Sequence, residues 1–349
     1  MSKEPIFITG RFRSGTSFLW QLFNHLDGYC AWYEPLHPQL LSAIQYVEPK
    51  KDHVGIKDYW QTYRDNPEFE DFYSMKFATQ QLYLEAADEY SELESYIRHL
   101  IDLSEPEVPV LQFNRVDLRL PWLKRKFPAA KIIHIERNPI QLYYSQRKHI
   151  GSDHLHDASY WDAYELVPWT FALKENFSCL FLPDSNHAFF PFYVIYQLSR
   201  KMAVLHSDVS INLDTHVFQS DEFIQHVSNV ISLSNEQKHE IKNMAHVPHI
   251  PVFDEVLTDD LAKIMTEVEM LLMQSGLMEA FGELSLKEIK AQNEEFWQNF
   301  ECVSSSCSPL LLSINQLNSE LTRILAENKN LKNKLKSFTD NQPGLEGNE

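Results

Sequence analysis

The chain has 349 residues, 44% of them hydrophobic and 13% aromatic, enough for the core of one large α/β domain plus an appendage. A net charge of −18 argues against nucleic acid as a partner, because a phosphate backbone is bound through an excess of Lys and Arg. No apolar run approaches the roughly 20 residues needed to span a bilayer, and four scattered cysteines (Cys30, Cys179, Cys302, Cys307) fit a reducing compartment.

The first element is the apolar run Ile6-Phe7-Ile8, which reads as a strand over about 5–9. No basic-plus-apolar leader precedes it, so a cytoplasmic location is expected. The run enters a loop framed by Gly10 and Gly15, and Phe18, Leu19, Leu22, Phe23 and Leu26 then recur with helical spacing over 16–26. Backbone N–H groups at such a turn point at an anion, and the helix dipole favours negative charge there. The two glycines have Walker A spacing, yet Thr16 and Ser17 follow with no lysine. Arg11 and Arg13 stand inside the loop instead, and arginine binds phosphate bidentately. The loop therefore reads as a phosphate site not built for Mg-ATP hydrolysis. Taken alone it also fits a tight strand-to-helix turn with a Ser/Thr cap.

An extended piece, Tyr29 to Tyr33, comes next and leads into Glu34-Pro35-Leu36-His37, where a second strand would end. Residues 45–107 read as a long helical insertion, rich in aromatics such as Tyr59, Trp60, Tyr63 and Phe72. Between 66 and 107 eleven acids face only Lys76 and Arg98. Strand 109–113, helix 116–127, strand 131–136 and helix 139–148 follow. Arg137 lies just past the carboxyl end of the apolar run Ile132 to Ile135, Pro139 suits the first helical turn, and Ser145 is about two turns in. Residues 115–148 carry a local net charge of +7, which suits an anionic ligand. Helices are expected around 160–176 and 190–206, a strand over 209–213, and mostly helix from there to 300.

This alternation implies an α/β fold: a three-layer sandwich with a central parallel sheet, a P-loop-like phosphate-binding loop and a helical insertion. In such sheets ligands bind outside the carboxyl ends of the strands. Two further features stand apart. Asp153-His154-Leu155-His156-Asp157 has alternating side chains that could converge on a metal. At the end of the chain, Leu310, Leu317, Ile324 and Leu331 recur every seven residues, with Ile314, Leu321, Asn328 and Leu335 four residues after each. That seam predicts a self-associating coiled-coil helix over 309–337, with a homodimer through 310–335 as its consequence. The alternative is a long amphipathic helix folded against the domain of residues 1–300. Residues 338–349 read as a disordered tail.

The two phosphate-like motifs, taken in order, resemble those of sulfotransferases that use 3′-phosphoadenosine 5′-phosphosulfate (PAPS). Arg13-Ser14-Gly15-Thr16-Ser17 is similar to their 5′-phosphosulfate loop, [KR]-S-G-[TS]-[TS]. Arg137-Asn138-Pro139, with Ser145 eight residues after the arginine, is similar to their 3′-phosphate site, R-[DN]-P-x5-S. The resemblance implies that PAPS is the co-substrate and that Arg11, Arg13, Ser14, Gly15, Thr16, Ser17, Arg137 and Ser145 bind it. It implies Arg13 at the leaving 5′-phosphate and no metal. Tyr33-Glu34-Pro35-Leu36 looks like a segment of carbohydrate-type members, and several branches place a glutamate base there; Glu34 is thus the expected base, with His37 the runner-up. His99 and His134 are expected to be structural. The aromatics Tyr160, Trp161, Tyr164 and Trp169 would form either an adenine or sugar platform or helical core. The acceptor is expected to be a hydroxyl of a carbohydrate, glycolipid or small molecule, met by the insertion, whose acids argue against a polyanion. Two other classes remain open at this point: a P-loop small-molecule or nucleoside kinase, and an inactive nucleotide-fold scaffold dimerised by its tail.

Overall fold

Five short strands pair in parallel throughout, in the order β2-β3-β1-β4-β5. They are β1 (Ile6–Thr9), β2 (Tyr29–Tyr33), β3 (Val108–Phe113), β4 (Lys131–Glu136) and β5 (Val209–Asn212). The computed structural model describes residues 4–46, 58–148, 164–180, 187–215, 220–244, 257–280, 284–299, 327–328 and 331–332. β1 is central, and Ile6, Phe7 and Ile8 are all buried, so both of its faces are covered by the flanking layers. The Thr16–His25 helix packs on β1, β2 and β3, and the Phe189–His206 helix packs on β4. The result is the expected α/β sandwich on a parallel sheet, and each strand lies within a residue of its predicted place.

Residues 1–300 form one compact unit and 301–349 another. In the second, Glu327, Asn328, Leu331 and Lys332 are helical and exposed. The rest of the predicted coiled coil and homodimer seam lies outside the described residues. So do the 338–349 tail, Cys302, Cys307, the 153–157 motif, Tyr160 and Trp161.

The insertion is helical, as expected, and its described part runs through short pieces, Gln61–Asp65, the 3-10 turn Pro67–Asp71 and Lys76–Thr79, before the Ser91–Leu103 helix. Most of its aromatics face the core: Tyr59, Trp60, Tyr63, Phe69, Phe77 and Tyr83 are buried, and Phe72 is exposed. Those rings pack inward because the insertion is docked on the outer edge of the sheet. There Tyr63 donates its hydroxyl hydrogen to the Tyr33 carbonyl at 2.8 Å, and Thr62 donates to the Ala31 carbonyl at 3.0 Å.

The helix expected from 116 begins at Leu120, with Pro121 in its first turn. The preceding residues stay irregular because their side chains are committed elsewhere. Arg119, wholly buried, donates from Nε, Nη1 and Nη2 to the carbonyls of Gln81, Phe77 and Gln80 at 2.8, 2.9 and 2.6 Å. Burial pulls its pKa down to about 10, so it is still charged at neutral pH. The guanidinium fork thereby ties β3 to the insertion. Arg119→Ala should cost about 3 kcal/mol in urea unfolding, because it strands three carbonyls. Arg119→Lys should recover only part of that loss, since an ammonium cannot reproduce the fork. Wild-type stability for either variant would refute this role.

Candidate active site

β1 and β3 are neighbours whose connections run to opposite sides of the sheet, β1's to β2 and β3's to β4. Such a divergence opens a crevice at the carboxyl ends of the strands. The loop after β1, Asn114 and Arg115 after β3, and Glu34 after β2 all emerge there.

The loop needs both of its glycines. A Cβ at Gly10 would lie 2.4 Å from the Ile135 carbonyl oxygen. Gly15 has φ 109°, in the left-handed region, and a Cβ there would lie 2.9 Å from Leu213 Cδ1. No side chain caps the helix that starts at Thr16, so its first N–H groups have no side-chain acceptor. Ser14 Oγ is buried without a hydrogen-bond partner among the described residues. An orphaned hydroxyl and an uncapped helix start, side by side, fit an anion with several acceptor oxygens.

The second motif arrives at the same place. Arg13 Nε donates to Ser145 Oγ at 3.5 Å, across 132 residues of chain. Gln146 of the same helix, Pro139–Arg147, donates to the Phe12 carbonyl at 2.8 Å and holds that helix against the loop. Arg137 is buried; its Nε donates to Asp214 Oδ1 at 3.3 Å, and its carbonyl accepts from Tyr196 at 3.1 Å. Burial lowers the Arg137 pKa, Asp214 opposes that, and the charge of nearby Arg13 adds to it. An anion bound beside Arg137 would offset the cost of burying its charge.

Arg11, expected among the ligand-binding residues, is engaged within the protein. Its guanidinium is buried, donates to Asp117 Oδ2 at 3.0 Å and lies over the Trp169 ring at 4.3 Å. Thr16 Oγ1 donates to Asn114 Oδ1 at 2.8 Å, and Ser17 shares a hydrogen bond with the Tyr33 hydroxyl at 3.0 Å. Trp169, one of the four possible platform aromatics, is core beneath Arg11; Tyr164 is only partly buried, and its ring sits 5.6 Å from that of Phe12.

Glu34 is partly buried at φ 43°. Burial raises its pKa, and the charge of Arg115 opposes that rise without cancelling it. Asn114 Nδ2 donates to its Oε1, and its backbone N–H donates to Gln112 Oε1 at 3.2 Å. Asn114 Oδ1 in turn accepts from Gln112 Nε2 at 3.0 Å as well as from Thr16. One amide therefore joins the phosphate loop to the carboxylate. His37 is driven down to about 4 by burial and by Arg115, so it is neutral at pH 7. Its Nδ1 faces the Gln39 N–H at 3.1 Å, which puts its proton on Nε2. His134 is buried against Ser210, its pKa also lowered to about 4 by burial, and His99 stacks on Phe72.

Asn114, Glu165 and Asp214 escaped the sequence reading, and Arg115 entered it only as part of a basic segment. Arg115 donates to Glu165 Oε2 at 2.9 Å and lies over the Phe12 ring at 4.8 Å. Asn114 and Asp214 share one signal, their place just past the carboxyl end of a strand; Glu165 has none. Arg13, Glu34, Tyr164 and Glu165 all have positive φ, and only Gln81 shares that trait among the described non-glycine residues. Left-handed backbone at four residues of one crevice is a stored cost characteristic of functional sites.

Among the described residues no helix is long and apolar enough to cross a membrane, and no group of three His, Cys, Asp or Glu side chains could hold a metal ion. A comparison with curated proteins finds no match. Residues 5–177 match a family model described as Sulfotransferase family. The matched stretch contains the loop after β1, Glu34, Asn114, Arg137 and Ser145 and ends before β5. Through that stretch, just under half of its length, the chain is similar to the sulfotransferase family.

Proposed function

We propose that the protein moves a sulfuryl group from PAPS to a hydroxyl of a carbohydrate, glycolipid or small-molecule acceptor. One observation carries this reading: Arg13 of the first motif donates to Ser145 of the second at 3.5 Å, so residues of two separate motifs come together at one crevice. A single phosphate would not call for both. A nucleotide with a 5′-phosphosulfate and a 3′-phosphate does.

In this reading Arg13, the backbone of Ser14 to Ser17 and the Ser14 hydroxyl bind the 5′ end, and Arg137 and Ser145 bind the 3′-phosphate. Thr16 and Ser17 contribute through the helix N-terminus, since their hydroxyls already bond Asn114 and Tyr33. Arg11 supports the loop from beneath through Asp117. PAPS, when bound, supplies the activated sulfuryl group. Glu34 then takes the proton of the acceptor hydroxyl, a task helped by a pKa raised by burial and by the Asn114 bond that orients it. Arg13 stabilises negative charge on the leaving phosphate oxygens. His37 is the weaker base, because its Nε2 already carries the proton. The kinase alternative loses ground with Glu136, the carboxylate ending β4, which pairs with Arg200 at 3.2 Å. A cytoplasmic location and a dimer through 310–335 remain part of the proposal.

Thermal-shift titration tests the nucleotide. Adenosine 3′,5′-bisphosphate should stabilise the protein strongly, with Mg-ATP and AMP far weaker. An equal response to AMP would remove the 3′ role of Arg137 and Ser145. With an acceptor found by screening against labelled PAPS, Glu34→Gln should bind the bisphosphate normally and lose about 10²–10⁴-fold in transfer rate. The wild-type rate should fall as pH drops, because Glu34 must be ionised to accept a proton. That fall should be centred above the ordinary glutamate value of about 4.3. A rate that stays flat down to pH ~4 would place the base elsewhere.

A further inference from the structure

The end of β5 lies outside the family-matched stretch, yet it grips the second motif. Asp214 uses both carboxylate oxygens on consecutive residues. Oδ1 accepts from Arg137 Nε at 3.3 Å, and Oδ2 accepts from the Asn138 backbone N–H. Asn138 is also the cap of the next helix, its Oδ1 accepting from the Ile140 and Gln141 N–H groups. The carboxylate is itself fixed. The Asp214 N–H donates to Asn212 Oδ1 at 2.9 Å, and the Leu213 N–H donates to the Glu136 carbonyl at 2.8 Å. The aspartate is partly exposed, the arginine it holds is buried, and a cleft of about 420 Å³ lined by Arg137, Asn138, Tyr196 and Asp214 opens beside them.

A guanidinium on a flexible stem binds a phosphate well only if its plane is held beforehand. Asp214 supplies that restraint at Nε, while its second bond sets the backbone where the arginine ends and the helix begins. Its neighbour Leu213 fills the space against Gly15, so adjacent residues touch both phosphate motifs. The terminus of β5 thus sets the arginine's position relative to the loop.

We propose that Asp214 is the positioning residue for Arg137 and so governs discrimination between nucleotides with and without a 3′-phosphate. The proposal rests on the assignment of Arg137 to the 3′-phosphate above. It makes Asp214 a helper of anion binding despite its own negative charge. A carboxylate acting merely as a competing anion would have the opposite effect.

Calorimetric titration of the full chain with adenosine 3′,5′-bisphosphate and, separately, with AMP tests this. In Asp214→Asn one neutral amide replaces a two-oxygen anchor at constant shape. Affinity for the bisphosphate should fall about tenfold, the loss of one charge-assisted hydrogen bond, while affinity for AMP stays within about twofold. Asp214→Glu keeps the charge but displaces the guanidinium, and should show the same selective loss; it serves if the asparagine variant does not fold. Equal losses for both nucleotides would make Asp214 a general structural residue and overturn the proposal. A gain in bisphosphate affinity would make it a competitor and overturn it as well. Failure of the parent reading looks different: the wild-type protein itself would bind AMP as tightly as the bisphosphate.

Discussion

Buried charge in the six residues after β3 is the constraint on which this molecule is organised. Asn114, Arg115, Asp117 and Arg119 are all nearly inaccessible, and a buried charge without a partner costs several kcal/mol. Each finds its partner on a different part of the chain. Asn114 joins Thr16 to Glu34, Arg115 takes Glu165, and Asp117 takes both Arg11 and Ser199. Arg119 takes the insertion carbonyls. These contacts join the phosphate loop, the insertion and the Phe189–His206 helix around β3.

The same residues explain how an acidic protein presents a cationic crevice. The chain's net charge is −18, yet the residues around the two motifs are net positive. Carboxylates near the crevice are spent on holding arginines: Asp117 on Arg11, Glu165 on Arg115, Asp214 on Arg137. Glu34 differs. Its Oε1 accepts from the neutral amide of Asn114, and burial lifts its proton affinity although Arg115 is near. A general base must meet this condition, and it arises because the neighbouring acids have already claimed the neighbouring bases.

Much of this was legible in the chain. β1, β4 and β5 end in polar residues and β3 is followed at once by Asn114, and the spacing of Gly10 and Gly15 marks the loop that the structure places between β1 and its helix. Arg137 and Ser145 could be paired with Arg13 on motif order alone. The start of the Leu120–Lys126 helix was not legible, because tertiary hydrogen bonds to residues 115–119 override a pattern that reads as helical. The place of the insertion's rings was not legible either: an aromatic residue looks the same in a sequence whether it lines a pocket or fills a core. In the 115–148 segment the sequence sets Arg137 apart, but it does not show that Arg115 faces the crevice, Arg119 is wholly buried beside the insertion and Lys124 pairs with Asp208. Asn114, Glu165 and Asp214 act through partners 50 to 98 residues away. Spacing along the chain holds no record of such contacts.

The hydroxyls of Thr62 and Tyr63 on the β2 carbonyls have a consequence beyond the site. Among the described residues β2 is the last strand on its side of the sheet, and an outermost strand with unclaimed carbonyls invites pairing with a strand from another molecule. By occupying two of them, the insertion acts as a guard against intermolecular β-addition. Its length and sequence are therefore answerable to solubility as well as to any substrate, and remodelling it to change acceptor choice would have to keep that guard in place.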